Sequence, residues 1–287
     1  MAHAAVTASV IIPAHNEEAV IARTLEPLAD AAARGALEVI VVCNACADRT
    51  AEIAGAFPGV SVLESGIPSK THALNLGDET ATSWPRIYLD ADIVVSEQSI
   101  TATAIALSTR RWLAARPRSE FVMTGTGPMV QAYYRARSRV SSLGSAMWGA
   151  GVYGLSEEGH RRLGRFPDVT GDDLWVDRLF APDEKTVIAA EPVAVRVPRT
   201  ISALVAISRR NVNGAREAGP VVGPDATSAS GQEAVDQHDP AGVLRELLGT
   251  IRSPLTAFDA MVYIAIALSS RLGRHSARWE RDDTSRT

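Results

Sequence analysis

The stretch Arg86-Ile87-Tyr88-Leu89-Asp90-Ala91-Asp92 carries two carboxylates one residue apart, directly after a short apolar run. Ile87, Tyr88 and Leu89 read as the end of a buried strand. Residues two apart on a strand point the same way, so Asp90 and Asp92 can aim at one point as the chain leaves the sheet. Two hard oxygen donors there suit Mg2+ or Mn2+, which keeps waters and takes further ligands from phosphates. In an open α/β sheet, ligands bind at this end of the strands. The competing reading is a turn or a helix cap, which Asp also favours. Ser96 and Glu97 can start a helix a few residues on.

Length and composition set the outer bounds. The 287 residues allow one large domain or two small ones, and a 46% hydrophobic content is that of a globular protein. A net charge of −4 argues against a general nucleic-acid binder. Lys70 and Lys185 are the only lysines, so Lys70 draws notice. Cys43 and Cys46 form a lone C-x-x-C around Asn44 and Ala45, without the Trp or Pro of a thioredoxin-type site. Two free thiols fit a reducing cytoplasm. The N-terminus has no basic start followed by an apolar core, so no signal peptide is expected. No apolar run reaches the roughly 18 residues of a membrane span.

Strands and helices alternate through the first half. Val10 to Ile12 form a strand stopped by Pro13, and His15-Asn16-Glu17-Glu18 lead into an apolar helical stripe that runs to about Ala33 and closes at Gly35. Leu37 to Val42 form the second strand, ending in Cys43-Asn44-Ala45-Cys46-Ala47-Asp48 before a helix over Thr50 to Ala56 capped by Asp48. Val60 to Leu63 are a third strand, and Ser69 caps a helix through Lys70 and Leu76, stopped at Gly77. With Ile87 to Leu89 as the fourth strand, this order predicts a mostly parallel sheet with helices on both faces. Its strand ends carry His15, Asn16 and Glu17, then Asn44 and Asp48, then Lys70, then Asp90 and Asp92. Each has an ordinary reading: Glu17 as a first-turn acid, Asn44 as a turn residue, Lys70 as a solvated helix residue. Together at consecutive strand ends they point to a nucleotide and metal site. Neither G-x-G-x-x-G after the first strand nor a P-loop motif is present.

Four of these motifs resemble family 2 glycosyltransferases. Ser9-Val10-Ile11-Ile12-Pro13-Ala14-His15-Asn16-Glu17-Glu18 is similar to that family's opening, and Val41 to Thr50 to its second-strand motif. Lys70 with Ala73-Leu74-Asn75-Leu76-Gly77 is similar to its Lys-x-x-Ala-Leu-Asn-x-Gly helix, and Tyr88-Leu89-Asp90-Ala91-Asp92 to its Asp-x-Asp signature. The resemblance implies a GT-A fold: α/β, Rossmann-like, a mostly parallel central sheet flanked by helices, here with a helical C-terminal extension. It implies an inverting transfer from a nucleotide-diphosphate sugar, most often a UDP-sugar, with Mn2+ or Mg2+ on Asp92 and Asp90. Pro13, His15, Asn16, Glu17, Asn44, Asp48, Lys70 and Ala91 then line the nucleotide-sugar site. Where the family has an acid pair after the second strand, this chain has Cys43-Asn44, and Asn44 can read the base through hydrogen bonds.

The second half is read more coarsely. Ser96 to Ala115 is expected as a helix, Phe121 to Met123 as a strand, and Val130 to Met147 as a helix whose Arg135, Arg137 and Arg139 face solvent. Gly149 to Leu155 is a Gly-rich loop entering a strand; the resemblance implies that Gly151 lies under the donor sugar, while a tight turn is the plain alternative. Asp172 and Asp173 precede a helical run and are first read as cap and first-turn acids. The resemblance makes Asp173 the general base, with Asp172 as the second choice. Val187 to Val197 reads as strand, and Ser208-Arg209-Arg210-Asn211 as either a solvated turn or guanidiniums for a diphosphate. Residues 214–242 are expected as a flexible loop or lid, Val243 to Leu248 and a helix from Ser253-Pro254 as C-terminal helices, and 271–287 as a polar tail.

This organisation places the transferase domain in residues 1–213, its nucleotide-sugar half in about 1–95 and its acceptor half in about 96–213, followed by the loop 214–242 and the extension 243–287. The expected activity is a metal-dependent hexosyl transfer to an acceptor hydroxyl in the cytoplasm. A sugar-1-phosphate nucleotidyltransferase and a non-catalytic sugar-nucleotide binder on the same fold are the alternatives. The helix over 254–270 can pack on the core, pair two subunits or lie at the inner membrane face. All of this requires Asp90, Asp92 and Asp173 to meet around one pyrophosphate.

Overall fold

Val10-Ile11-Ile12 and Val39-Ile40-Val41-Val42 are continuous apolar runs, as strands buried on both faces require. In the computed structural model, which describes residues 8–217 and 240–272, they form the centre of a seven-stranded sheet. The first half runs β1 (Ser9–Ala14), α1 (Ile21–Leu25), a 3-10 turn (Glu26–Leu28), α2 (Ala29–Ala33), β2 (Glu38–Asn44), α3 (Thr50–Gly55), β3 (Val60–Ser65), α4 (Lys70–Thr80) and β4 (Arg86–Leu89). Then follow α5 (Glu97–Ser108), β5 (Ala114–Val122), α6 (Pro128–Arg137), α7 (Ser141–Ser145), β6 (Val152–Leu155), α8 (Glu157–Leu163), α9 (Asp172–Leu179), β7 (Lys185–Arg196), α10 (Ile201–Glu217), α11 (Pro240–Gly249) and α12 (Pro254–Leu272).

The sheet order is β3-β2-β1-β4-β6-β5-β7. β1 pairs parallel with β2 and β4, and β2 with β3, whereas β6 runs antiparallel to β4 and β5. Strand alternation divides the side chains between two cores. Val10, Ile12, Val39, Val41, Ile87 and Leu89 pack with α1, α5 and the 3-10 turn; Ile11, Ile40, Val42 and Tyr88 pack with α4 and α9. The chain switches sides of β1 between β2 and β4, and in open α/β sheets the carboxyl ends of the strands at such a switch are where ligands bind.

The chain forms two compact units. In its described residues the first is 8–120 and 147–195, and the second is 121–146, 196–217 and 240–272. In the second unit, α6, α10 and α12 surround a core of Val130, Tyr133, Tyr134, Leu204, Val262 and Ile266.

Several expectations are corrected. The stripe to Ala33 is broken at Pro27, whose missing N–H turns the chain through a 3-10 segment. Gly77 does not stop α4, which continues to Thr80. A Cβ at Gly77 would lie 2.5 Å from Ile11 Cγ2, so the glycine serves close packing of helix on strand. The helix expected over Ser96 to Ala115 ends at Ser108, and Ala114 and Ala115 instead pair with Leu155 and Gly154 of β6. The run Val130 to Met147 divides into α6 and α7. Arg135 and Arg139 do not simply face solvent: both pair with Asp259, whose side chain is fully buried. Residues 208–211 are helix within α10, not a turn. Helix replaces the expected loop at 214–217 and 240–242; the rest of the supposed lid, 218–239, and the tail from 273 lie outside the described residues.

Candidate active site

The ends of β1 and β2 are tied together by polar side chains. Asn16 has a positive φ of 53°, its side-chain oxygen accepts the Ala47 N–H at 2.7 Å, and its own N–H donates to Cys46 Sγ at 3.3 Å. His15 Nδ1 donates to the Asn44 carbonyl at 2.5 Å, since a carbonyl only accepts. Asp48 accepts the Glu18 N–H at 3.1 Å and both the N–H and hydroxyl of Thr50, at 3.0 and 2.5 Å. Thr50 Oγ1 in turn accepts the Glu17 N–H at 2.7 Å. Burial opposes the charge on Asp48, but these hydrogen bonds outweigh it and hold the carboxyl below its usual range. Glu17 and Asn44 are buried, and Glu17 precedes α1 rather than lying in its first turn. Pro13 lies within β1 against Val42. Cys43 and Cys46 are free; burial and the neighbouring Cys46 push the Cys43 thiol up to about 12, which leaves it protonated at neutral pH.

A second cluster gathers where β4 ends. β4 stops at Leu89, and Asp90 and Ala91-Asp92 form a turn, with the Ile93 N–H bonded to the Asp90 carbonyl at 3.1 Å. Strand period therefore does not align Asp90 with Asp92; the turn sets their positions. Ala91 is buried and its carbonyl accepts the Thr24 hydroxyl at 2.7 Å. Because β6 is antiparallel to β4, its leading loop meets this turn: the Asp90 N–H donates to the Gly151 carbonyl at 2.8 Å. Gly151 has φ +66°, and a Cβ there would stand 2.4 Å from Ile93 Cγ1 and 3.2 Å from Asp90 Oδ2. The position therefore requires glycine for both conformation and space.

Lys70 joins the pieces. Placed at the start of α4 by the Ser69 cap, its Nζ lies 2.7 Å from Asp90 Oδ1 and 2.8 Å from Asp172 Oδ1. Asp172 begins α9, is 3% exposed, and takes the Tyr153 hydroxyl on its other oxygen at 2.8 Å. Its neighbour Asp173 is less buried and accepts N–H bonds from Gly149 at 2.9 Å and Leu174 at 2.8 Å. Burial disfavours charge on Lys70, but Asp172, Asp90 and Asp173 outweigh it and keep the ammonium charged. Burial raises the Asp90 carboxyl, helped by Asp172 and Asp92 and resisted by Lys70. Burial, then repulsion from Asp172, lifts Asp173 to about 6.

Three carboxylates thus share the surroundings of one ammonium, with Asp92 acting on Asp90 beside them, leaving a negative surplus that a hard divalent cation fits. Among the described residues no three His, Cys, Asp or Glu side chains form a ready cage. The donor set therefore fits a cation that rests on one or two carboxylates and takes its remaining ligands from substrate. Arg209 and Arg210 lie in α10 of the second unit. Sequence reasoning did not single out Tyr153 or the Gly149 amide; both reach their aspartates across 19 and 24 residues, with no local spacing to signal them.

A mixed sheet of this order, with acids at the end of β4 and a helix entering beneath them, defines the GT-A class of glycosyltransferase fold. Residues 9–134 match the family described as glycosyl transferase family 2. Solved structures agree in fold. The mannosyltransferase PcManGT from Pyrobaculum calidifontis, in complex with GDP-Man and Mn2+, gives a TM-score of 0.63 at 17% identity over 93% of this chain and 86% of its own. S. aureus TarS 1-349 with UDP gives 0.53 at 13% identity over 96% and 94%. Glucosyl-3-phosphoglycerate synthase from Mycobacterium tuberculosis, with Mn2+ and UDP-glucose, gives 0.55 at 19% identity over 76% and 80%. A search of the curated proteins found no match.

Proposed function

We propose that the protein transfers a hexose, with inversion, from a nucleotide-diphosphate sugar to an acceptor hydroxyl. The observation that carries this reading is the Lys70-centred cluster, in which Asp172 is saturated by Lys70 and Tyr153 while Asp173 stands beside it with a carboxyl raised to about 6. Asp173 is then the base: it removes the acceptor hydroxyl proton as that oxygen bonds to the anomeric carbon. The bond from that carbon to the diphosphate breaks, and its electrons leave with the nucleoside diphosphate. Lys70 holds Asp90 and Asp172 in place through its two ion pairs. Asp92 and Asp90 would hold Mn2+ or Mg2+, which when bound offsets the charge of the departing diphosphate. His15, Asn16, Glu17, Asn44 and Asp48 serve the nucleotide. A UDP-sugar is the donor we favour, on the family resemblance and on the UDP held by two of the structures above.

The test is transfer from a panel of UDP- and GDP-sugars with Mn2+, read as released nucleoside diphosphate and labelled acceptor. Asp173→Asn should lower kcat by about 10²–10⁴-fold while nucleotide affinity persists. Normal turnover in that variant removes Asp173 from the mechanism.

A further inference from the structure

Helix α12 is apolar over more of its surface than the side that packs. One side holds Val262, Tyr263 and Ile266 against the core of the second unit, with Tyr263 stacked on Tyr133 at 4.9 Å between centroids. Beside it Leu255, Phe258, Met261 and Leu268 are 57, 37, 61 and 53% exposed. Phe258, Met261 and Leu268 fall on one stripe, which Leu255 joins at an i, i+3 step from Phe258, and the set spans roughly 20 Å at the helical rise. Ala265 lies on the same stripe and is exposed. No charged side chain interrupts it, since Asp259 is fully buried between Arg135 and Arg139. A water-facing helix surface normally carries polar residues, and a contiguous apolar stripe marks an interaction surface.

Charge indicates what covers it. In the second unit, residues 121–146, 196–214 and 240–271 contain ten arginines and two acids, a net of +8. Both acids are engaged, Asp259 as above and Glu246 by the hydroxyls and amides of Ser141 and Ser142. The described residues of the first unit contain fourteen basic and twenty-three acidic side chains, a net of −9. Arg252 precedes α12 and Arg271 lies in its last turn, both exposed, so the stripe has an arginine at each end. A symmetric dimer through the stripe would bring two units of +8 together. An anionic lipid surface offsets that charge and accepts the apolar side chains. We propose that α12 docks the second unit in the plane of an anionic bilayer, with Leu255, Phe258, Met261 and Leu268 at the acyl boundary. The helix does not cross it: among the described residues no helix is long and apolar enough. Asp173 and Lys70 take no part, so docking and transfer can fail independently.

The test is sedimentation of the full chain with vesicles of phosphatidylcholine, with and without phosphatidylglycerol. Binding is expected to the anionic vesicles, at least about tenfold weaker to neutral ones, and weakened by about 0.5 M salt. Phe258→Asp with Met261→Asp should abolish it, and Arg252→Glu with Arg271→Glu should weaken it at least about tenfold, each with its melting temperature unchanged. Absence of binding, or equal binding to both vesicles at both salt levels, overturns the proposal. So does a lipid-free dimer by light scattering that the paired Asp variant dissociates. Should that variant fail to fold, the lipid and salt dependence of the unaltered chain and the arginine variant decide the matter.

Discussion

Asp172 and Asp173 are neighbours in sequence and opposites in environment. The first is buried, with Lys70 on one oxygen and the Tyr153 hydroxyl on the other; the second is less enclosed and is lifted to about 6. If Asp173 acts as base, its ionised form is the active one, so kcat should fall about tenfold per pH unit below about pH 6. A pH profile of kcat that stays flat from 5 to 8 would contradict this assignment. The stability sign is the reverse. A carboxyl raised above its ordinary 3.8 contributes stability fully below that value and loses it as pH rises through about 6. Asp173→Asn should therefore be at least as stable as the parent at pH 8, as a thermal melt will report. Reading the sequence placed both acids before a helix and left the choice of base to family resemblance. The pairing with Lys70 that separates them spans 102 residues and leaves no local pattern.

At the scale of elements, glycine position matters more than glycine content. Gly77 lies inside α4, and a Cβ there meets Ile11 Cγ2 at 2.5 Å; at Gly55, in the last position of α3, the nearest atom is 3.9 Å away. Gly77→Ala should cost about 1–3 kcal/mol by urea unfolding, while Gly55→Ala should be neutral or slightly stabilising. Equal effects would mean that close packing on β1 is not what Gly77 supplies. The same ambiguity explains the errors of reading. A glycine in a helical pattern signals a stop or a close approach, and only the strand beneath decides. Leu113-Ala114-Ala115 extends a helical pattern by propensity, yet pairing with β6 draws Ala114 and Ala115 into β5.

At the scale of the whole molecule, distant segments are joined by ions as well as by apolar packing. Asp259 of α12 holds Arg135 and Arg139 at 2.6 Å each, across more than a hundred residues. Burial works against its charge, but the two guanidiniums outweigh it and hold the carboxyl below its ordinary range. Its stability contribution is thus present above 3.8 and lost as pH falls through the lowered value. Asp259→Ala should cost about 2–3 kcal/mol at pH 7, discounted for the partly exposed arginines, and the deficit should shrink in acid. Donor binding should also register globally. A UDP-sugar with Mn2+ at a hundredfold over Kd should add about 2.7 kcal/mol, and chelation should reduce that gain. An equal shift with and without chelator would argue against Asp90 and Asp92 as cation ligands.

By itself the sequence determined the parallel half of the sheet and the polar groups at its strand ends. Both are local: a run such as Val39 to Val42 buries both faces, and the residues that end it must lie at the carboxyl end of the strand, where ligands bind in such sheets. Only the tertiary structure decided that Lys70 bridges Asp90 and Asp172, that Arg135 and Arg139 close on Asp259, and that Phe258, Met261 and Leu268 of α12 are exposed. Those outcomes depend on which segments meet after the chain has collapsed, and periodicity within a segment carries no information about its distant partner.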